Sequence, residues 1–265
     1  MIRQAVCSLA LLAIIFAVTF NLEVKEMGFA SNFFALLVVL GGTFAATLIA
    51  YPLAKLAWTA RLLQKSFTFR EEMNTTIEGI VRLAHIYRSR GIRPLEQEAA
   101  SLPPGLLKTG VELIAYHTSR DKVEQILLKE ALCTHNQCET AHKMLYNMAR
   151  LAPALGLAGT IISLIRIFGN ISDPQNLIGC MAVALLSTFY GVVLANICFV
   201  PLSNKLREYM DLNELQMDIV QEGILDLYDQ EHPRAIRYTL ETLSATLGIP
   251  GRAPRRAGLV LVPTP

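Results

Sequence analysis

From Pro174 to Asn204 the chain carries no Asp, Glu, Lys or Arg. No other feature limits the fold as much, because a helix of roughly 20 apolar residues is what crosses the hydrocarbon core of a bilayer. Similar stretches recur. Gln4–Leu22, Met27–Ala54 and Leu151–Ile165 are also free of charge, and only Arg166 interrupts the third before Asn170. Charged residues make up 17% of the chain, against about a quarter in a typical soluble domain, and the deficit is concentrated in these runs. The pattern predicts an all-α integral membrane protein with four transmembrane helices, at about 4–22, 31–54, 151–170 and 177–201. A secretory leader is the alternative for the first run. No small-x-small cleavage site follows it and three more spans do, which favours an uncleaved span.

The basic residues set the orientation. Lys55, Arg61, Lys65 and Arg70 follow span two, Lys205 and Arg207 follow span four, and Arg3 precedes span one. The opposite loops are short: 23–30 holds a single Lys, and 171–176 holds no basic residue. Positive flanks stay in the cytoplasm, so both termini and the 55–150 segment are expected there. The net charge of +2 then reflects topology, not nucleic-acid binding.

Along the chain this gives transmembrane helices one and two (1–54), a cytoplasmic helical domain (55–150), transmembrane helices three and four (151–204), C-terminal cytoplasmic helices (205–248) and a disordered tail (249–265). Within the cytoplasmic segment, Ile77, Ile80, Val81, Ala84 and Tyr87 form a helical stripe. Gly91 and Pro94 are read as breakers, then Pro103, Pro104 and Gly105. Asp121–Tyr146 reads as a long helix running into span three.

Enzymatic chemistry finds little support. There is no phosphate-binding Gly-rich loop, no HExxH and no GxSxG. The five cysteines (Cys7, Cys133, Cys138, Cys180 and Cys198) show no secreted disulfide pattern. Cys133, His135, Cys138 and His142 have ligand-like spacing, but they lie in one run, whereas metal ligands converge from two or more elements. We therefore assign no metal site and no cofactor. No Asp, Glu, His or Lys lies inside a span core, although a chain that carries a cation through its own interior usually needs an acid there.

The spans do contain hydroxyls. Gly156, Gly159, Thr160 and Ser163 share one face of span three, and Ala184, Ser187, Thr188, Gly191 and Ala195 share one face of span four. Small faces let transmembrane backbones approach closely. Thr160 lies about ten residues from the cytoplasmic start of span three and Thr188 about thirteen from Pro201, which places both hydroxyls within roughly 5 Å of one depth. They either bond back to their own helices or line an ion or water path. A hydroxyl can replace one water around a hard cation but cannot neutralise it, so the carboxylate would come from another chain. Arg166 either snorkels to the outer interface or takes part in gating.

"PALGLAGTIISLI" (153–165) and the run "SDPQNLIGCMAVALLSTFYGVVLANICFVPLSNKL" resemble the third and fourth spans of MotA-type stator subunits, in the MotA/TolQ/ExbB superfamily. "VLGGTFAATLIAYP" (39–52), "RSRGIRPLE" (88–96) and the helix after span four resemble other parts of the same family. The resemblance implies an ion-conducting stator subunit of the bacterial flagellar motor, in the inner membrane, that couples proton or sodium flow to torque on the rotor. It implies a homo-pentamer around two copies of a MotB-like, single-span, peptidoglycan-binding partner that supplies the membrane Asp. It places Thr160, Ser187 and Thr188 on the ion path, Pro153 and Pro201 in conformational coupling, and Arg88 and Glu96 at the flagellar rotor protein. Thr at 160 occurs in sodium-driven relatives where many proton-driven ones have Ala, and both ions stay open. Ser163, Arg166 and Arg93-Pro94 depart from the family pattern. The alternatives are a related motor for gliding or outer-membrane energisation, and a scaffold without ion flux.

Overall fold

The structure, a computed structural model, describes residues 29–68, 73–169 and 174–246. The expected first span (4–22) and the tail (249–265) lie outside the described residues. Every described element is a helix: α1 Phe29–Ala50, α2 Leu53–Thr68, α3 Met73–Arg90, α4 Ile92–Ser101, α5 Leu106–Ala115, α6 Arg120–Gly169, α7 Pro174–Val193, a π-helical segment Leu194–Phe199, α8 Val200–Tyr228 and α9 Pro233–Thr246.

The chain forms two compact units. One comprises 1–69 and 137–209, the other 70–136 and 210–265. The division falls inside α6, because the helix continues without a break from the polar residues after Arg120 into the charge-free run.

Two helices are long and apolar enough to cross a membrane: Arg120–Gly169 and the run Gly179–Tyr228. A third crossing is added if the bent pair Ala35–Ala50 and Leu53–Thr68 counts as one, but that pair turns by 111°. The expected second span, 31–54, therefore ends early, at Ala50. Pro52 follows; it has no N–H to continue the ladder, and it disfavours the helical conformation of the residue before it. The 22 residues of α1 rise about 33 Å, enough for the hydrocarbon core by themselves.

The charge-free helices of the first unit are apolar on their outside. Ile49 is 89% exposed and Leu185 73%, with Leu157, Ile161, Ile165 and Phe168 also exposed. Contiguous apolar surface of this kind is out of place in water and suits lipid or neighbouring helices. The second unit is built the other way. Ile80, Leu83, Leu95, Val111, Leu127, Ile219, Ile224, Ile236 and Leu240 form one buried core drawn from α3 to α6, α8 and α9, and the charges lie outside.

Two features correct the sequence reading. Of the two breakers in "GIRP", only Gly91 breaks a helix, at φ 82°, a conformation that suits glycine. Pro94 sits in the first turn of α4, where its missing N–H would have had no partner anyway. The helix does not stop at Pro201. The helix widens into the π segment just before it, and the Val200 N–H donates to the Ala195 carbonyl five residues back. A proline ring crowds the carbonyl four residues earlier, and the wider turn relieves that crowding.

Candidate functional site

The first unit brings α6 and α7 into backbone contact. A Cβ placed on Gly156 would lie 2.7 Å from the Ser187 carbonyl oxygen and 3.3 Å from the Gly191 Cα. A Cβ on Gly191 would lie 2.7 Å from the Ala152 carbonyl and 3.2 Å from the Pro153 Cα. Neither position can hold a side chain without separating the helices. This is the close approach that drives association where lipid offers no hydrophobic force.

That approach sets the hydroxyls. The Thr160 Oγ1 is 2.5 Å from the Thr188 Oγ1, 3.1 Å from the Ala184 carbonyl oxygen and 3.2 Å from the Gly156 carbonyl oxygen. A hydroxyl has one proton and two lone pairs. When Thr160 donates to a carbonyl, Thr188 donates to Thr160; when Thr160 donates to Thr188, the carbonyls keep free lone pairs for a guest. Four neutral oxygens thus meet at one place, both hydroxyls only half-buried. Oxygen ligands suit hard cations, but neutral ones leave the charge uncompensated.

Ser187 has a different environment. It is buried, its Oγ donates to the Val183 carbonyl at 2.8 Å, and it packs where a Gly159 side chain would stand. Adjacent residues on a helix point about 100° apart, so Thr188 meets Thr160 while Ser187 fills the seam. Pro153 lies inside α6, beside Gly191, and its missing N–H leaves the Ala149 carbonyl without its helical donor. Pro201 opens α8 directly after the π segment.

Arg88 and Glu96 are exposed in the second unit, on α3 and α4 either side of Gly91. The structure does not pair them. The Arg88 guanidinium donates to the Gln230 carbonyl at 3.4 Å, and Arg82 forms an ion pair with Glu98. Gln230 closes α8 at φ 56°, with the Glu231 N–H on the Asp226 carbonyl. Burial, then the carboxylates of Glu222, Glu231 and Asp229, push Asp226 up to about 6, against a partial offset from Arg120.

The sequence reading missed several polar contacts in the first unit. His142 bonds to Ser203, Asn147 bonds to Tyr51, and Thr43 and Thr47 are buried with their hydroxyls on carbonyls of their own helix. His142 had a visible signal, but it pointed to metal. Among the described residues no three His, Cys, Asp or Glu side chains gather as a metal site.

Comparison with known proteins agrees with this architecture. Residues 98–219 match the MotA/TolQ/ExbB proton channel family. Motility protein A of Cereibacter sphaeroides is 32% identical over 203 residues, 76% of this chain and 79% of that protein. Chemotaxis protein PomA of Vibrio alginolyticus is 28% identical over the same length, again 76% and 79% of the two chains. The solved structure of C. jejuni MotAB has a similar fold, with a TM-score of 0.77 at 16% identity, covering 92% of this chain and 96% of that one.

Proposed function

The chain belongs to the MotA/TolQ/ExbB proton channel family, and from that premise we propose that it is the ion-conducting stator subunit of a flagellar motor, which couples proton or sodium flow to torque on the rotor. It is a motor subunit and not an enzyme. The observation that carries this reading is the Thr160–Thr188 contact with its two carbonyl neighbours, set in helices without a carboxylate from Leu151 to Asn170 or from Pro174 to Asn204. The site supplies oxygens for an ion, and a partner must supply the charge. A MotB-like single-span partner bearing a membrane Asp and a peptidoglycan-binding domain meets that need, with five copies of this chain surrounding two of the partner. The relatives named motility protein A and the MotAB fold support it.

In this reading the chain crosses the inner membrane four times, 4–22 being the first span, with both termini cytoplasmic. The 55–150 and 205–248 segments then lie in the cytoplasm, and Arg88 and Glu96 face the rotor. Ser187 adjoins the ion path, and Pro153 and Pro201 flex with it. One charge moved across about 100 mV supplies roughly 2.3 kcal/mol, enough to shift packed helices when the step repeats.

Thr160→Val and Thr188→Val test the site, since each removes a hydroxyl at constant shape. In vesicles holding the complex, ion flux is expected to fall about tenfold for each, the equivalent of about 1.4 kcal/mol for one lost oxygen contact. Thr160→Ser should retain flux. Unchanged flux in both Val variants would sink the proposal, and replacing sodium by potassium in the same assay identifies the ion.

A further inference from the structure

We propose that His142, Ser203, Asn147 and Tyr51 form a polar collar that ties α1, α6 and α8 together beyond the prolines, and that these are positioning residues which convert ion movement at the hydroxyl site into motion of α6 and α8. The inference rests on the stator reading above.

All four residues belong to the first unit. The His142 Nδ1 lies 3.0 Å from both the carbonyl oxygen and the Oγ of Ser203. A bare Nδ1 accepts from the Ser203 hydroxyl, and a protonated Nδ1 donates to the carbonyl. The tie between α6 and α8 therefore holds in either tautomer of the ring. Ser203 is 1% exposed, so its hydroxyl has no solvent to turn to, and a buried polar group left without a partner is costly. The His142 ring also stacks on Tyr146, with centroids 6.3 Å apart. Asn147 Nδ2 donates to the Tyr51 hydroxyl at 3.2 Å, which ties α6 to α1 at the bend before Pro52.

The collar gains its meaning from what lies between it and the hydroxyl site. At the site, Thr160 meets Thr188 and Gly156 meets the Gly191 backbone, and nothing there can yield cheaply. From the edge of the site toward the collar, α6 has lost the rung below Pro153, where the last contacts with Gly191 give way to the Ala149 carbonyl without its helical donor, and the α7–α8 run passes through the π segment Leu194–Phe199. Helices bend at such places. Two stiff layers thus enclose a compliant one. If the ends of the helices were free, a rearrangement at Thr160 and Thr188 would be lost as splaying. Held by the collar, it becomes bending at Pro153 and the π segment, and leaves the unit along α6 and α8, which pass out of it about two turns further on.

The test measures torque and ion flux separately in the complete stator complex. His142→Phe keeps a ring beside Tyr146 and removes both contacts with Ser203. Tyr51→Phe removes the acceptor for Asn147. His142→Asn returns an amide near the position of Nδ1. For the Phe variants, torque per unit of ion flux is expected to drop about fivefold while flux stays within about twofold of wild type, the scale of coupling changes carried by residues that touch neither ligand. His142→Asn should restore most of the torque. Flux and torque falling in step, or neither changing, would overturn the collar. A wild-type complex without flux, or flux indifferent to Thr160→Val, would overturn the stator reading and the collar with it.

Discussion

Both units place glycines where helices meet, and the two sets do different jobs. In the membrane-type unit, a side chain on Gly156 or Gly191 would strike backbone atoms, at 2.7 Å from a carbonyl oxygen in each case. In the other unit, a side chain on Gly110 would strike Ile224, and one on Gly223 would strike Ile80, at 2.8 Å from a side-chain carbon. Backbone cannot move without moving the helix, whereas a side chain can change rotamer. The difference follows from the solvent. Lipid is as apolar as leucine, so helices within it associate by close approach and polar contacts. In water the same chain gathers Ile80, Leu95, Ile224 and Leu240 by the hydrophobic effect, and its glycines only make room for that core.

Gly191→Ala should therefore have the largest effect. The added methyl forces α6 and α7 apart and breaks the Thr160–Thr188 contact. We expect a loss of about 3 kcal/mol or more, at or above the upper range for overpacking, together with loss of ion flux. A thermal melt of the purified complex that leaves the variant within 1–2 °C of wild type, on the scale of well under ~1 kcal/mol, would erase the contrast between the units. Gly110→Ala should cost less, about 1–3 kcal/mol, with flux per folded complex unchanged. Pairing it with Ile224→Ala, which removes the three side-chain carbons that a Gly110 methyl would strike, should cost less than the sum of the two single substitutions in the same melt.

The smallest expected effect is electrostatic and confined to the second unit. Asp226 is held at about 6 in the fold, above its usual 3.8. The folded state thus binds more protons than the unfolded chain between those values, and stability falls as pH rises through that window, then levels off. Asp226→Asn should raise the melting temperature at pH 7.5 by an amount worth under about 1 kcal/mol, after allowance for solvent screening of this half-exposed group. The gain should vanish near pH 4. A gain of equal size at both pH values would show that the cause is not the charge.

Much of the site could be read in the sequence, because depth along a helix is a matter of counting residues. Thr160 and Thr188 could be placed at one level from helix rise alone, and the hydroxyls do meet. The partition between Ser187 and Thr188 could not be read. Both stand on the small face, and only the direction from which α6 approaches decides which one meets Thr160 and which one packs on Gly159. The cysteine–histidine run, set aside as a metal site, was as silent about its real contacts. Its spacing says nothing of what stands opposite, and opposite His142 stands Ser203.

By itself the sequence determined that the chain is helical and where its charge-free runs lie. Both follow from local chemistry, namely runs without charge, periodicity and the placement of Gly91. The tertiary structure decided that the continuous helix α6 is divided between two units, that the helix passes Pro201 through a π segment, and that His142 and Asn147 join neighbouring helices. Those outcomes depend on which atoms of distant segments come within 3 Å or so of one another, and no pattern along a single segment encodes that.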